Sequence, residues 1–339
     1  VMSLGGYVLR RLGLAVVTLF GVVVAVFVLT RVLPGNPAYV KAGPYAKPEQ
    51  IERITAEMGL DKPLPVQFWN YFTDLLHGDM GVSWSTSHPV REDLTQRLPA
   101  TLELAAVAFV LASLLGLTLG ILAAVKPGSA VDQVVHLLSV VGASVALFWL
   151  GLMLIYVFYY TLRWVPDPMG RLAPLMEAPE GPTGLLLIDT LVHGDLAAFR
   201  SAVGHLILPA VSLVIVLTPT IAKMARATML EVLQSDYIQT ARAIGLSTPR
   251  LIWRDALPNA MIPILTTMGI VLAYLLAGNV LVEMLFAWPG IGFYAWSALM
   301  SNDFDAIQGF VLLIGILYVF INLVIDLLYS VIDPRIRLG

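Results

Sequence analysis

The sequence predicts an all-α membrane protein: six transmembrane helices, both termini cytoplasmic, a large outer loop after the first span, and a cytoplasmic elbow between spans four and five. Hydrophobic residues make up 58% of the 339-residue chain and charged ones 13%, with a mean hydropathy of +0.83. A soluble domain carries about 25% charged residues, so this chain lacks the polar groups to cover a globular surface. Its charges are also spaced to leave stretches of membrane-crossing length, and its basic residues gather on one side of those stretches.

A spanning helix needs about 20 residues with few charges, because 1.5 Å per residue must cover roughly 30 Å of hydrocarbon. Arg11 to Arg31 leaves 19 uncharged positions, Glu103 to Lys126 leaves 22 and Asp132 to Arg163 leaves 30. Arg200 to Lys223 leaves 22, Asp255 to Glu283 leaves 27 and Asp305 to Asp326 leaves 20. The gap from Glu283 to Asp303 leaves 19, but Trp288-Pro289-Gly290-Ile291-Gly292 would break a helix near its start. It reads as a re-entrant or surface segment leaning on the fifth span. The first stretch is longer than the apolar region of a signal peptide and runs into Arg31-Val32-Leu33-Pro34-Gly35, so it is expected to be a retained anchor.

Basic residues in short connections set orientation. With the N-terminus inside, Arg10, Arg11, Lys126, Lys223, Arg226, Arg242, Arg250, Arg254, Arg335 and Arg337 fall on the inner side. The outer connection after span three holds only Arg163, Arg171 and Arg200. Domain organisation follows: a tail and first span (1–30), an outer loop region (31–100) and a core of five spans (101–339).

In the outer loop, Lys47-Pro48-Glu49 opens a short helix through Met58, which Gly59-Leu60-Asp61-Lys62-Pro63 ends. Gln67 to Leu76 carries Phe68, Trp69, Tyr71, Phe72, Leu75 and Leu76. This aromatic stretch fits either a helix in the membrane interface or a docking face for an outer partner. The second outer connection, about 163–205, is rich in proline and irregular until Leu185.

The inner connection at about 224–260 exceeds 30 residues where a simple turn needs 2–8. Asp236 to Ile244 reads as a short helix, and Gly245 sits where a left-handed C-terminal cap belongs. Ser247 or Thr248 can cap a second helix, with Pro249 in its first turn, that runs to Leu257-Pro258. Small residues at Thr240, Ala241 and Ala243 would let another protein's backbone approach. Arg242, Arg250 and Arg254 suit either pairing with acidic groups of a neighbour or anchoring at the inner membrane surface.

Several chemistries are disfavoured. A formal charge of −3 with no basic block argues against nucleic acid, and the absence of cysteine removes thiolate sites. Histidines 77, 88, 136, 193 and 205 show no metal-ligand spacing. None of the five lysines follows a glycine, so no phosphate-binding Gly-Lys-Ser/Thr is present. Gly81-Val82-Ser83-Trp84-Ser85 lacks the second glycine of a nucleophile turn. His136, Asp326, Glu103 and Glu283 lie near span ends, which disfavours a proton relay. His136 reads as an interfacial histidine, Asp326 as the partner of an inner-side arginine. Glu283 fits a local hydrogen bond to the following turn or a place lining the outer mouth of a path.

Gln239-Thr240-Ala241-Arg242-Ala243-Ile244-Gly245, followed by Leu257-Pro258, resembles the Glu-Ala-Ala-x3-Gly-x9-Ile-x-Leu-Pro loop of permease subunits from bacterial binding-protein-dependent ABC importers. Gln239 stands for Glu, Thr240 for the first Ala and Asp255 for Ile. The rest of the chain is similar to the dipeptide/oligopeptide/nickel branch of that family. Tyr7-Val8-Leu9-Arg10-Arg11, Leu33-Pro34-Gly35-Asn36-Pro37, Gly59-Leu60-Asp61-Lys62-Pro63-Leu64 and His77-Gly78-Asp79-Met80-Gly81 carry the likeness in the first third. Leu206-Ile207-Leu208-Pro209-Ala210, the Trp288 to Gly292 segment, Ile307-Gln308-Gly309 and Asp333-Pro334-Arg335-Ile336-Arg337 carry it onward, in order.

The resemblance implies a multi-pass permease of the bacterial inner membrane that is not itself an enzyme. It implies pairing with a second, usually paralogous permease and cargo delivered by an extracytoplasmic substrate-binding protein. It further implies two ATP-binding subunits that hold the ATP and Mg, this chain having no cofactor of its own. Gln239, Thr240, Ala241, Arg242 and Gly245 would form the docking helix and turn for an ATPase, and Leu257 and Pro258 would mark the return into span five. Di- or oligopeptides are the expected cargo; glutathione, oligosaccharide and chelated nickel stay open. An ion-coupled secondary transporter or channel is the alternative.

Overall fold

The computed structural model describes residues 4–32, 37–43, 45–179 and 181–332. Leu33 to Asn36 and the Asp333 to Arg337 motif lie outside them. The first span is α1 (Leu4–Val32). The loop region that follows holds α2 (Pro37–Ala42), α3 (Pro48–Glu57) and α4 (Leu64–Leu76). Met58 caps α3 as expected, and Gly59 turns the chain with a φ of +63°. Most of the aromatic face of α4 is occupied by the chain itself. Phe68, Tyr71 and Phe72 meet Phe20 and Phe27 of α1 with ring centroids 5.3–6.1 Å apart, while Trp69 stays exposed.

The second span is α5 (Val90–Val125). The third is α6 (Ala130–Ser144) followed by α7 (Leu147–Leu154), which widens into a π turn over Ile155–Thr161. An irregular segment leads to α8 (Leu186–Val192) and to the fourth span, α9 (Leu196–Leu233). The elbow comprises α10 (Asp236–Ala243) and α11 (Thr248–Arg250), and a π turn over Leu251–Ala256 feeds α12 (Leu257–Gly278). Helices α13 (Val280–Leu285) and α14 (Ile291–Ser301) precede the last span, α15 (Phe304–Ile332).

Five helices among the described residues are long and apolar enough to cross a membrane: Leu9–Thr30, Val90–Val125, Leu196–Leu233, Thr248–Ala277 and Phe304–Leu327. The expected third span differs. Its two halves, Ala130–Gly142 and Leu147–Thr161, meet at 107°, the geometry of a broken span or a re-entrant loop and not of one straight helix. A charge gap measures length and is blind to direction. The re-entrant segment differs too: α14 packs on α5, α13 and α15, and its Ile291, Tyr294 and Ala298 share a core with Val90, Leu94 and Ala306.

Helices α5 and α9 form the centre. At 36 and 38 residues, or about 54–57 Å at 1.5 Å per residue, they outrun the hydrocarbon layer. Ala108, Ala112, Gly116, Gly120 and Ala124 recur every fourth residue on α5, a stripe that lets two backbones approach closely. A Cβ at Gly120 would lie 2.6 Å from the Ala222 carbonyl oxygen of α9, so nothing larger than glycine fits. Helices α1 and α15 pair at the side. Gln308 Nε2 donates to Thr30 Oγ1 (2.6 Å) near one end and Arg11 bridges Asp326 (2.7 Å) near the other, the pairing expected of Asp326.

Candidate functional site

The elbow begins where α9 leaves the bundle. Ile238 of α10 is fully buried among Ala225, Met229 and Ala256, plugging the elbow into the ends of α9 and α12. The other face of α10 is open. Gln239, Thr240, Arg242, Ala243 and Ile244 are exposed and Ala241 is half-buried. Two of their side chains bond locally, Thr240 Oγ1 donating to the Asp236 carbonyl (2.8 Å) and Gln239 Nε2 to the Gln234 carbonyl (2.9 Å). Apolar surface is left uncovered, with Ile244 75%, Trp253 62% and Tyr237 49% exposed. Arg242, Arg250 and Arg254 are exposed and make no ion pair among the described residues.

Gly245 ends α10 as expected, with a φ of +88°. Its N–H donates to the Arg242 carbonyl (3.0 Å) and the Leu246 N–H to the Ala241 carbonyl (3.2 Å), the paired bonds of a Schellman cap. Nothing lies within 4 Å of where its Cβ would be, so the backbone angle alone, not crowding, demands glycine. Ser247 occupies the N-cap position of α11 without a side-chain bond. The second elbow helix does not stop at Leu257-Pro258 as the sequence predicted. Pro258 has no N–H to give to the Arg254 carbonyl and its ring would press on it. The helix widens instead: the Leu257 N–H donates five residues back to Ile252, and the path continues into α12.

Above the elbow, α6, α9 and α12 enclose a cleft of about 680 Å³. Val216, Thr220, Lys223 and Ala227 line it from α9, spaced by four, three and four residues along one face. Thr267, Ile270 and Tyr274 face them from α12, and Ser139 and Gly142 from α6. The sequence reading missed this cleft. The signal it held was that small and polar stripe on α9, read only as span and anchor.

Beside the cleft Arg226 holds Asp132 through both carboxylate oxygens, and the Gly128 N–H donates to the same group (2.8 Å). This ties the α5–α6 turn to α9.

Glu283, the residue the sequence offered for a path mouth, is not on an open surface of this chain. Its side chain is fully buried at the end of the bundle away from the elbow, beyond the last span residue Ala277. Thr101 Oγ1 donates to Oε1 (2.7 Å), while the N–H groups of Gly292 (2.8 Å) and Phe293 (3.0 Å) donate to Oε2. The carboxylate thereby caps α14 from outside that helix, a version of the local hydrogen bond the sequence had suggested. Burial pushes its pKa up to about 7, against the lowering effect of Thr101, Phe293 and Gly292. Gly290 is wedged against Glu283 and Thr101, and Trp288 Nε1 donates to the Ala100 carbonyl (2.8 Å). Arg171 bonds Glu103 and lies 5.7 Å over the Trp288 ring, fastening the irregular connection to this block. Ser83 donates to Asp303 (2.7 Å) with Ser85 beside it (3.0 Å).

Comparison with known proteins agrees with this architecture. Residues 116–338 match the family of binding-protein-dependent transport system inner membrane components, and residues 5–105 match the N-terminal part of such components. The chain is 44% identical to the probable D,D-dipeptide transport system permease protein DdpB of Escherichia coli K12, over 96% of this chain and 95% of that one. It is 41% identical to the dipeptide transport system permease protein DppB of the same strain, over 98% of each. With the di/tripeptide transport system permease protein DppB of Pseudomonas aeruginosa the identity is 42%, again over 98% of each. The fold is similar to that of a chain in an inward-facing MetNI methionine ABC transporter, with a TM-score of 0.51 at 18% identity, covering 71% of this chain and 96% of that one. The chain belongs to the family of binding-protein-dependent transport system inner membrane components, as an ABC transporter permease.

Proposed function

We propose that this chain is the membrane-spanning permease subunit of an ATP-driven importer of di- or oligopeptides, working by alternating access. Its partners would be a second permease, two ATP-binding subunits that carry ATP and Mg, and an extracytoplasmic binding protein. The bundle would sit in a bacterial inner membrane with the elbow and both termini in the cytoplasm. The observation that carries the reading is the elbow. One buried residue, Ile238, roots it in the bundle, while Gln239, Thr240, Arg242, Ile244 and the Gly245 turn face outward with apolar area uncovered. A connection with no partner would gain nothing by exposing Ile244 and Trp253.

The mechanism follows from the geometry. Closure of two ATPases would move whatever grips the elbow. Ile238, Leu251 and Ala256, all buried, would pass that motion to α9 and α12, which wall the cleft. Leu257 and Pro258 stand where the elbow becomes α12, and the π turn before them would be the natural place for bending. Peptide as cargo rests on the peptide-transport names of the relatives.

Purification in mild detergent and reconstitution with the binding protein test the proposal. The expected results are retention of an ATPase with the chain and uptake of labelled dipeptide that requires ATP. Uptake that follows a proton or sodium gradient without ATP would overturn it.

A further inference from the structure

Among the described residues lining the cleft between α6, α9 and α12, Lys223 alone carries a charge. Around it the wall offers Thr220, Ser139, Thr267 and Tyr274 hydroxyls set in apolar surface. Two carboxylates of the neighbouring helices are held elsewhere: Asp132 by Arg226, one turn further along α9, and Asp326 by Arg11. Lys223 itself is exposed and has no ion-pair partner among the described residues. An ionisable side chain that faces a cleft between spanning helices is a candidate for contact with a substrate. The cleft volume, about 680 Å³, is ample for two or three amino-acid residues.

We propose that the cleft is a peptide-binding stage of the translocation path, with Lys223 receiving the free C-terminal carboxylate of the peptide and the Thr220 and Tyr274 hydroxyls flanking it. This rests on the importer reading and adds to it the chemical group recognised inside the membrane. The apolar surface of Ile270, Val271 and Met224 then meets side chains of any kind, so the one contact common to all cargo is with the main-chain carboxylate. Lys223 lies toward the elbow end of α9, so the contact would form late in passage, as the path opens toward the elbow.

The chain has no cysteine, so Ala227→Cys places its one thiol in the cleft, a turn from Lys223 and away from the hydroxyls of the proposed site. The assembled complex in nanodiscs is treated with a maleimide, and alkylation of this chain is followed with Ala-Ala or with Ala-Ala amide. Ala-Ala is expected to slow alkylation at least threefold and the amide to leave it unchanged. Lys223→Gln should abolish the protection and Lys223→Arg should keep it. In proteoliposomes Lys223→Gln should lower maximal dipeptide uptake at least tenfold while Lys223→Arg retains most of it. Equal alkylation with and without Ala-Ala, equal protection by the amide, or protection that survives Lys223→Gln would overturn the assignment; the first of these would leave Lys223 facing lipid headgroups. If Lys223→Gln fails to assemble, loss of protection by the amide in the lysine parent still decides. Absence of ATP-dependent uptake in the unmodified complex defeats the importer reading itself; uptake without protection defeats the cleft assignment alone.

Discussion

Replacing Gly245 with valine attacks the elbow at a point where the structure allows the cost to be worked out. The residue has a φ of +88° and open space around its Cβ position, so valine meets no steric wall and disturbs no packing. Only the backbone suffers. If valine keeps the left-handed angle, the strain is about 1–3 kcal/mol. If it relaxes to negative φ, the Gly245 and Leu246 N–H bonds to Arg242 and Ala241 are lost, at roughly 0.5–1.5 kcal/mol each. Either route costs about 1–3 kcal/mol in the docking-competent shape, which is roughly a 5- to 150-fold loss of affinity for whatever grips the elbow. Retention of the ATPase on the purified chain and ATP-dependent uptake should both fall, while membrane insertion and detergent solubility stay as in the parent. Gly245→Asn, which tolerates the left-handed region, should cost much less. Unchanged assembly and transport in Gly245→Val would mean that the elbow is not the coupling element.

Three further outcomes are expected. Gly290→Ala would force a methyl into Glu283 and Thr101, and should destabilise the block by about 1–3 kcal/mol as overpacking does, read as a drop in thermal midpoint in detergent; an unchanged midpoint contradicts the tight packing. Glu283 holds its proton up to about pH 7, where an unfolded glutamate releases it near 4.5. Between those values the folded chain binds the extra proton, so this residue's contribution is complete below pH 4.5 and fades as pH rises through 7. Melting from pH 4.5 to 8 should show that decline, and Glu283→Gln should flatten it. Asp132→Ala and Arg226→Ala should each loosen the α5–α6 turn, and the exchange Asp132→Arg with Arg226→Asp should recover part of the loss; a double variant no better than the single ones would argue against a direct pair.

Much of this molecule was legible because bilayer constraints are severe. Gaps between charges located α1, α5, α9, α12 and α15, since a central charge is expensive in any of them. Gly245 was legible because a left-handed cap has few alternatives to glycine. The bend between Ser144 and Leu147 was not, because no proline falls at the break and charge spacing carries no direction. Pro258 misled for a related reason: a proline ends a regular α-helix, but a π turn absorbs it here. Glu283 was placed near its capped turn, yet its burial depends on Thr101, 182 residues away. The cleft is a tertiary product of three helices, and only the stripe on α9 foreshadows it.

A single cysteine at Thr240, on the open face of α10, offers the most direct test that a separate ATPase drives the bundle through its elbow. In the intact, reconstituted assembly a short thiol-to-amine cross-linker should join that residue to an ATP-binding subunit, and the yield should change when ATP is added. Labelling by small reagents with no cross-link to any neighbour, in a complex that still imports, would contradict the account.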